Sequence, residues 1–214
     1  MLKVVAWCVW QCLPSALDLR NPQSGWFELF RPWRELGVVD GLRAALVDPM
    51  TGLYNRRYAI PHLAHTLRQS ALSGASFAVM MADLDHFKRI NDMFGHDTGD
   101  EVLIAVAEGL KQENVFPARQ GGEEFVVLIY GEDYQRLAET VRRQITLSVL
   151  EKVPEVPFPV TASAGLTEVR PNDTLDSAVK RGDEALYAAK DAGRDQLLLW
   201  QDGKHSQPRL VHGV

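Results

Sequence analysis

From residue 48 onward, apolar and polar positions fall into two clear periods. Tyr58, Leu63, Leu67 and Leu72 recur at helical spacing behind Asn55, a good N-cap residue, and predict a helix over 55–72. The run Ser76-Phe77-Ala78-Val79-Met80-Met81-Ala82 is apolar, has the length of a buried strand and ends on Asp83. Leu103, Val106, Ala107 and Leu110 form one stripe within a helix over 98–112. Phe125 to Tyr130 reads as a strand, and Leu137, Val141, Ile145 and Val149 stack at four-residue steps in a helix over 133–150. Pro154, Pro157 and Pro159 impose an extended loop before a strand over 160–169. Asp173 or Thr174 then caps a helix with Leu175, Ala178, Val179, Leu186 and Ala189 inward, and residues 196–200 make a last strand. Gly121-Gly122 turns two adjacent strands into a hairpin. This order predicts an α+β fold, a mixed sandwich with a central, mostly antiparallel sheet flanked by helices.

The character of the chain changes near residue 48. Four of the five tryptophans (Trp7, Trp10, Trp26, Trp33) lie before it, and Pro14, Pro22 and Pro32 exclude one long helix there. A short helix is expected through Trp33, Leu36, Val39 and Leu46. The expected division is an N-terminal arm over 1–47, a catalytic domain over 48–202 and a polar tail over 203–214. The arm is read as a packing, dimerising or truncated input segment. The first ten residues hold a short apolar stretch interrupted by Trp7 and Trp10, a poor signal peptide, and no run is long enough to span a bilayer. The formal net charge of −5 makes a poor binder of duplex nucleic acid. Cys8 and Cys12 make neither a disulfide framework nor a complete zinc site, so a reducing, cytoplasmic setting is expected.

Three segments carry candidate chemistry. In Asp83-Leu84-Asp85, alternate residues face one side of a strand, so two carboxylates would point together and call for a cation. Taken alone, the triplet is equally a turn or helix cap, where Asp is common. In Arg119-Gln120-Gly121-Gly122-Glu123-Glu124-Phe125, two glycines allow close backbone approach, and two acids run straight into an apolar strand. In the segment Phe87 to Asp100, Asn91 can donate to guanine O6 and Asp100 can accept from its N1 and N2 hydrogens, although both residue types also serve as caps. There is no Gly-x-Gly-x-x-Gly and no Walker lysine loop.

In register, these segments resemble the GGDEF family of diguanylate cyclases. Asp48-Pro49-Met50-Thr51-Gly52-Leu53-Tyr54-Asn55-Arg56-Arg57 is similar to its opening motif. Asp83 to Asp100 is similar to its metal and guanine segment, Gly121 to Phe125 is the Glu-Glu form of its signature, and Ala185 to Arg194 is similar to its closing segment. The resemblance covers residues 48 to about 200 and implies a polymerase-palm-like, ferredoxin-like fold. It implies condensation of two GTP into cyclic di-GMP with release of pyrophosphate, in a homodimer whose subunits each hold one GTP. By the same resemblance Asp83, Glu123, Glu124 and the Leu84 carbonyl would bind two Mg²⁺, replaceable by Mn²⁺, and Glu123 would help deprotonate the ribose 3′-hydroxyl. Asn91 and Asp100 would read guanine, with Phe87 and His96 at the substrate site, and Lys88, Lys190 and Arg194 would hold phosphates.

Some positions depart from the family pattern. Gln112 and Val115 stand where the family's product-inhibition site has Arg and Asp, Gln120 replaces an aromatic, and Asp195 stands where Asn is frequent. The rival reading is a catalytically silent module that binds GTP or scaffolds a partner, but the signature acids and Asp83 are all present. An ATP-specific cyclase is disfavoured by Asp100, which would meet the bare C2–H of adenine.

Overall fold

The structure is a computed structural model and describes residue 41, residues 45–201 and residues 209–210. The arm over 1–40 and 42–44 lies outside the described residues, and with it most of the expected short helix. Residues Leu46–Val214 form one compact unit. Its elements in chain order are β1 (Tyr54–Asn55), α1 (Arg56–Ser73), β2 (Phe77–Leu84), α2 (Phe87–Phe94), α3 (His96–Gly109), β3 (Val115–Gly121), β4 (Glu124–Tyr130), α4 (Tyr134–Lys152), β5 (Ala162–Glu168), α5 (Leu175–Asp191), β6 (Leu197–Leu199) and β7 (Arg209–Leu210).

The strands form one sheet in the order β1-β3-β4-β2-β5-β6-β7. β2 pairs antiparallel with β4 and β5, β3 with β4, and β6 with β7; the β1–β3 and β5–β6 pairs are parallel. The expected α+β sandwich is thus observed. β2 is buried along its whole length, which its apolar run requires, because helices cover both faces. Ala78, Met80, Ala82 and Leu84 share one core with α3 and α4, and Phe77, Val79 and Met81 share the other with α1 and α5.

The helix α2 is one difference from the sequence expectation. It is only eight residues long and buries just Phe87 and Ile90, too few positions to establish a period. The two-residue strands β1 and β7 are likewise too short to show alternation, and β7 lies inside the segment expected to be tail. Leu72, counted among the apolar positions of α1, is 83% exposed in its last turn. Otherwise the predicted elements occur with boundaries shifted by a few residues, and Asn55 caps α1 by accepting from the Tyr58 N–H at 3.2 Å.

α5 lies directly on β5. A Cβ on Gly165 would stand 2.1 Å from the Gly182 carbonyl oxygen, and one on Gly182 would stand 2.8 Å from Met81 Cγ. These two glycines set the separation of helix and sheet, and so place the C-terminal end of α5 beside the end of β2. The N-terminus of α5 is fixed by a capping box between Thr174 and Ser177. Asp173 does not cap: it forms a two-oxygen ion pair with Arg181, both contacts at 2.6 Å, and Arg181 also donates to Thr167 Oγ1 at 2.9 Å.

Burial pushes the Asp173 carboxyl up, but hydrogen bonds from Arg181, the Arg170 N–H and Ser177, with the Arg181 charge, outweigh it and bring its pKa to about 2, from 3.8. A lowered native pKa stabilises the fold above the unfolded value and is lost as pH falls toward the native one. Asp173→Asn is therefore expected to cost about 2 kcal/mol at pH 7 in urea denaturation. The gap to wild type should shrink by about half at pH 3; a gap that does not change with pH would remove the carboxylate charge as its cause.

Candidate active site

The site forms where β2 and the β3–β4 hairpin end together. Asp83 lies opposite Glu124 in the antiparallel register. The Leu84 N–H donates to the Glu123 carbonyl oxygen at 3.3 Å, so the two main chains meet at this point. Asp83 is 8% exposed, Glu123 is half-buried and Glu124 is exposed. The Asp83 carboxylate is met by Lys190 Nζ at 2.8 Å, from the last turn of α5. Asp83, Leu84, Glu123, Glu124 and Lys190 therefore lie together at one end of the sheet.

The hairpin turn is held from behind. The register shifts between Arg119 and Gly121, and Gly122 has φ 53°, a left-handed value natural to glycine. Arg119 donates twice to the Gly122 carbonyl, at 3.0 and 2.8 Å, and once to Asp48 Oδ1 at 3.0 Å. Asp48 Oδ1 also accepts from the Thr51 N–H at 3.0 Å and hydroxyl at 2.6 Å. Burial raises the Asp48 pKa, but the Thr51 bonds and Arg119 prevail and lower it, so the anchor stays ionised. The opening motif thus braces the signature turn, a role that sequence reading did not assign to Asp48 or Arg119. The signal was present, an arginine two residues before Gly-Gly and a buried-type Asp in the opening motif, but its partners lie 71 residues apart.

Asp85 corrects an expectation. It does not share a cation with Asp83: Thr161 Oγ1 donates to Oδ2 at 2.7 Å, Ser163 Oγ to Oδ1 at 2.6 Å and the Asp195 N–H to Oδ2 at 3.1 Å. Three donors of its own fold occupy the carboxylate. Thr161, just before β5, and Ser163, its second residue, were the sequence trace of this arrangement.

A second group sits where α2 meets α3. A Cβ on Gly99 would stand 1.9 Å from Asn91 Oδ1 and 3.4 Å from the tip of the Phe87 ring. The bare Cα of Gly99 therefore admits the Asn91 side chain, and Asp100 is the next residue of α3. Phe87 is buried and supports this group from the core. Lys88, His96 and Arg194 are exposed and have no side-chain ion pair among the described residues. Arg194 lies just past α5, four residues after Lys190.

Among the described residues, no three His, Cys, Asp or Glu side chains converge as a ready-made metal cage. The donors at the strand ends are all oxygens, and the buried Asp83 carboxylate already accepts a cation, the Lys190 ammonium. This fits a hard ion such as Mg²⁺, which uses one or two carboxylates and completes its shell with phosphates and water.

An α+β sheet domain with acids at the end of its central strand and on the adjoining hairpin defines the class. Residues 45–196 match the family described as Diguanylate cyclase, GGDEF domain, and the chain belongs to it. Diguanylate cyclase DgcP of Pseudomonas aeruginosa is 40% identical over 166 residues, covering 75% of this chain and 25% of its own length. Response regulator PleD of Caulobacter vibrioides is 36% identical over 169 residues, covering 73% of this chain and 36% of its own. The crystal structure of the coiled coil and GGDEF domain of DgcB from Caulobacter crescentus, in complex with c-di-GMP, superposes with a TM-score of 0.68 at 29% identity. It covers 80% of this chain and 93% of that one. The chain spans from a quarter to about half the length of the curated relatives it matches.

Because Arg119, with little exposure, carries two hydrogen bonds to the Gly122 carbonyl and an ion pair with Asp48, Arg119→Ala should destabilise the fold by about 1–3 kcal/mol in urea denaturation. Hydrogen exchange at residues 121–124 should rise by more than at β2. Equal protection of the turn in the folded variant would show that other contacts hold it.

Proposed function

We propose that this chain is a diguanylate cyclase domain that joins two GTP molecules into cyclic di-GMP and releases pyrophosphate. The observation that carries this reading is the buried Asp83 carboxylate, set against the Glu123-Glu124 hairpin and met by a mobile type of cation, a lysine ammonium, at 2.8 Å. Asp83 and Glu123, with Glu124 and the Leu84 carbonyl, would hold two divalent ions, Mg²⁺ or Mn²⁺. When bound, these ions neutralise the triphosphate and stabilise the attacking and leaving oxygens.

The remaining steps belong to the side chains. Lys190 exchanges Asp83 for a phosphate oxygen when nucleotide arrives, and Lys88 and Arg194 add positive charge to the triphosphate. Asn91 and Asp100 read the guanine edge, seated by Gly99 and Phe87, with His96 at the rim. Glu123 accepts the ribose 3′ proton as the 3′-oxygen attacks the α-phosphorus of the second GTP, whose pyrophosphate leaves. One GTP per subunit cannot close a two-nucleotide ring, so two copies face each other. No helix among the described residues is long and apolar enough to cross a membrane, and the proposed setting of the domain is the cytoplasm, where GTP is supplied.

The silent-module alternative has no specific observation in its favour, since Asp83, Glu123 and Glu124 stand together at the strand ends. Gln112 turns back to donate to the Gly109 carbonyl at 3.2 Å, and Val115 opens β3. Neither side chain can bind a phosphate or a guanine as an Arg and an Asp would, so product inhibition through this position is proposed to be absent.

Incubation with GTP and Mg²⁺ followed by chromatography should yield cyclic di-GMP. Glu123→Gln should fold normally and lose at least about 100-fold in turnover, because an amide is neither a base nor a charged ligand. Near wild-type turnover by the folded variant would remove Glu123 from the mechanism. Added cyclic di-GMP should inhibit only weakly and competitively with GTP; tight non-competitive inhibition in a titration would reveal another product site.

A further inference from the structure

The turn that follows α5 has three consecutive residues at positive φ: Gly193 at 115°, Arg194 at 66° and Asp195 at 46°. Glycine adopts such values freely, whereas an arginine and an aspartate in succession do so at a cost in free energy. A strained turn persists only where its surroundings over-determine it. The Arg194 N–H donates to the Ala189 carbonyl at 3.0 Å, and Asp195 adds ties to two further elements. Its N–H donates to Asp85 Oδ2 at 3.1 Å, beyond the end of β2, and its Oδ1 accepts from Arg142 Nη1 at 2.5 Å, on α4.

Both anchors are themselves fixed. Arg142 is buried; its Nε and Nη2 donate to the two Glu139 oxygens, both at 2.8 Å, and Nη1 also donates to the Ala162 carbonyl at 3.3 Å. Asp85 is held by Thr161 and Ser163. Two carboxylates, Asp85 and Asp195, are thereby brought to one turn, an arrangement that Arg142 makes tolerable by neutralising Asp195. Between Gly193 and the doubly anchored Asp195, the Arg194 side chain is exposed and makes no ion pair among the described residues. Lys190, one helical turn earlier, is already on Asp83.

We propose that Asp195, clamped by Arg142 and Asp85, is a positioning residue that fixes the Arg194 guanidinium to receive the triphosphate of a nucleotide seated at Asp83 and Lys190. This rests on the reading of the site as a GTP site. A guanidinium gains most from a phosphate when its fork is pre-oriented, so loosening the turn weakens nucleotide binding without touching the nucleotide. Where the family frequently has Asn at this position, an amide oxygen can still accept from Arg142, but it makes no ion pair.

The test is a double-mutant cycle read by calorimetric titration of 3′-deoxy-GTP, which lacks the attacking hydroxyl, into the full chain with Mg²⁺ present. Asp195→Ala and Arg194→Ala should each weaken binding by about tenfold, and the double variant should be no weaker than Arg194→Ala alone, because Asp195 acts through Arg194. Losses that multiply to about a hundredfold in a folded double variant, or unchanged binding by Asp195→Ala, overturn the inference. Should Asp195→Ala fail to fold, the same cycle is run with Asp195→Asn. A loss of about threefold that disappears in the Arg194→Ala background supports the role, and one that persists there overturns it. Absence of 3′-deoxy-GTP binding by the wild-type chain overturns the nucleotide-site reading as well. Intact wild-type binding with additive losses overturns the positioning role alone.

Discussion

A carboxylate at the end of a strand with no exposed side chain has lost most of its water, and the fold has to supply a counter-charge or lose several kcal/mol. Asp83 is such a group, and the rest of the site is arranged around it. α5 must come close enough for Lys190 to reach it, which is why Gly165 and Gly182 carry no Cβ where helix and sheet meet. The β3–β4 hairpin must end at the same level, which the antiparallel register of β2 and β4 ensures by setting Asp83 opposite Glu124. A lysine is a counter-ion that can leave: its ammonium is a compact charge on a flexible stem, free to follow an incoming phosphate while another cation takes its place.

Two aspartates, two residues apart, divide the work. Asp83 keeps a partner that can be exchanged, whereas Asp85 spends its oxygens on Thr161, Ser163 and the Asp195 N–H. Behind the hairpin, Arg119 and Asp48 hold the Gly122 carbonyl in place. The flexible side chains of the site therefore rest on a rigid, hydrogen-bonded frame, which proximity and orientation effects in catalysis require.

The buried strands and long helices were legible because their apolar periods are long enough to count. β2 and α4 are clear cases, as is the Gly-Gly hairpin. α2 was not legible: it buries two side chains, and the left-handed His86 before it (φ 57°) gives no capping signal. The expectation of one site built from Asp83, Glu123, Glu124, Lys190, Asn91 and Asp100 came from the family resemblance rather than from spacing. What sequence could not supply were partners far apart in the chain. Asp85 read as a second metal-facing carboxylate because its hydroxyl and main-chain donors come from 76 to 110 residues away. The Arg142–Asp195 pair was hidden for the same reason, and Arg142 looked like one of many charges on a helix face.

The central claim is that Asp83 gives up Lys190 for a divalent ion when a nucleotide is present. The most direct measurement is a paramagnetic titration of Mn²⁺ into the wild-type chain and into Asp83→Asn, with and without GTP. The account predicts Mn²⁺ binding to wild type that strengthens with GTP, and a loss of at least about tenfold in Asp83→Asn. Equal Mn²⁺ affinity of the two proteins in the presence of GTP would contradict it.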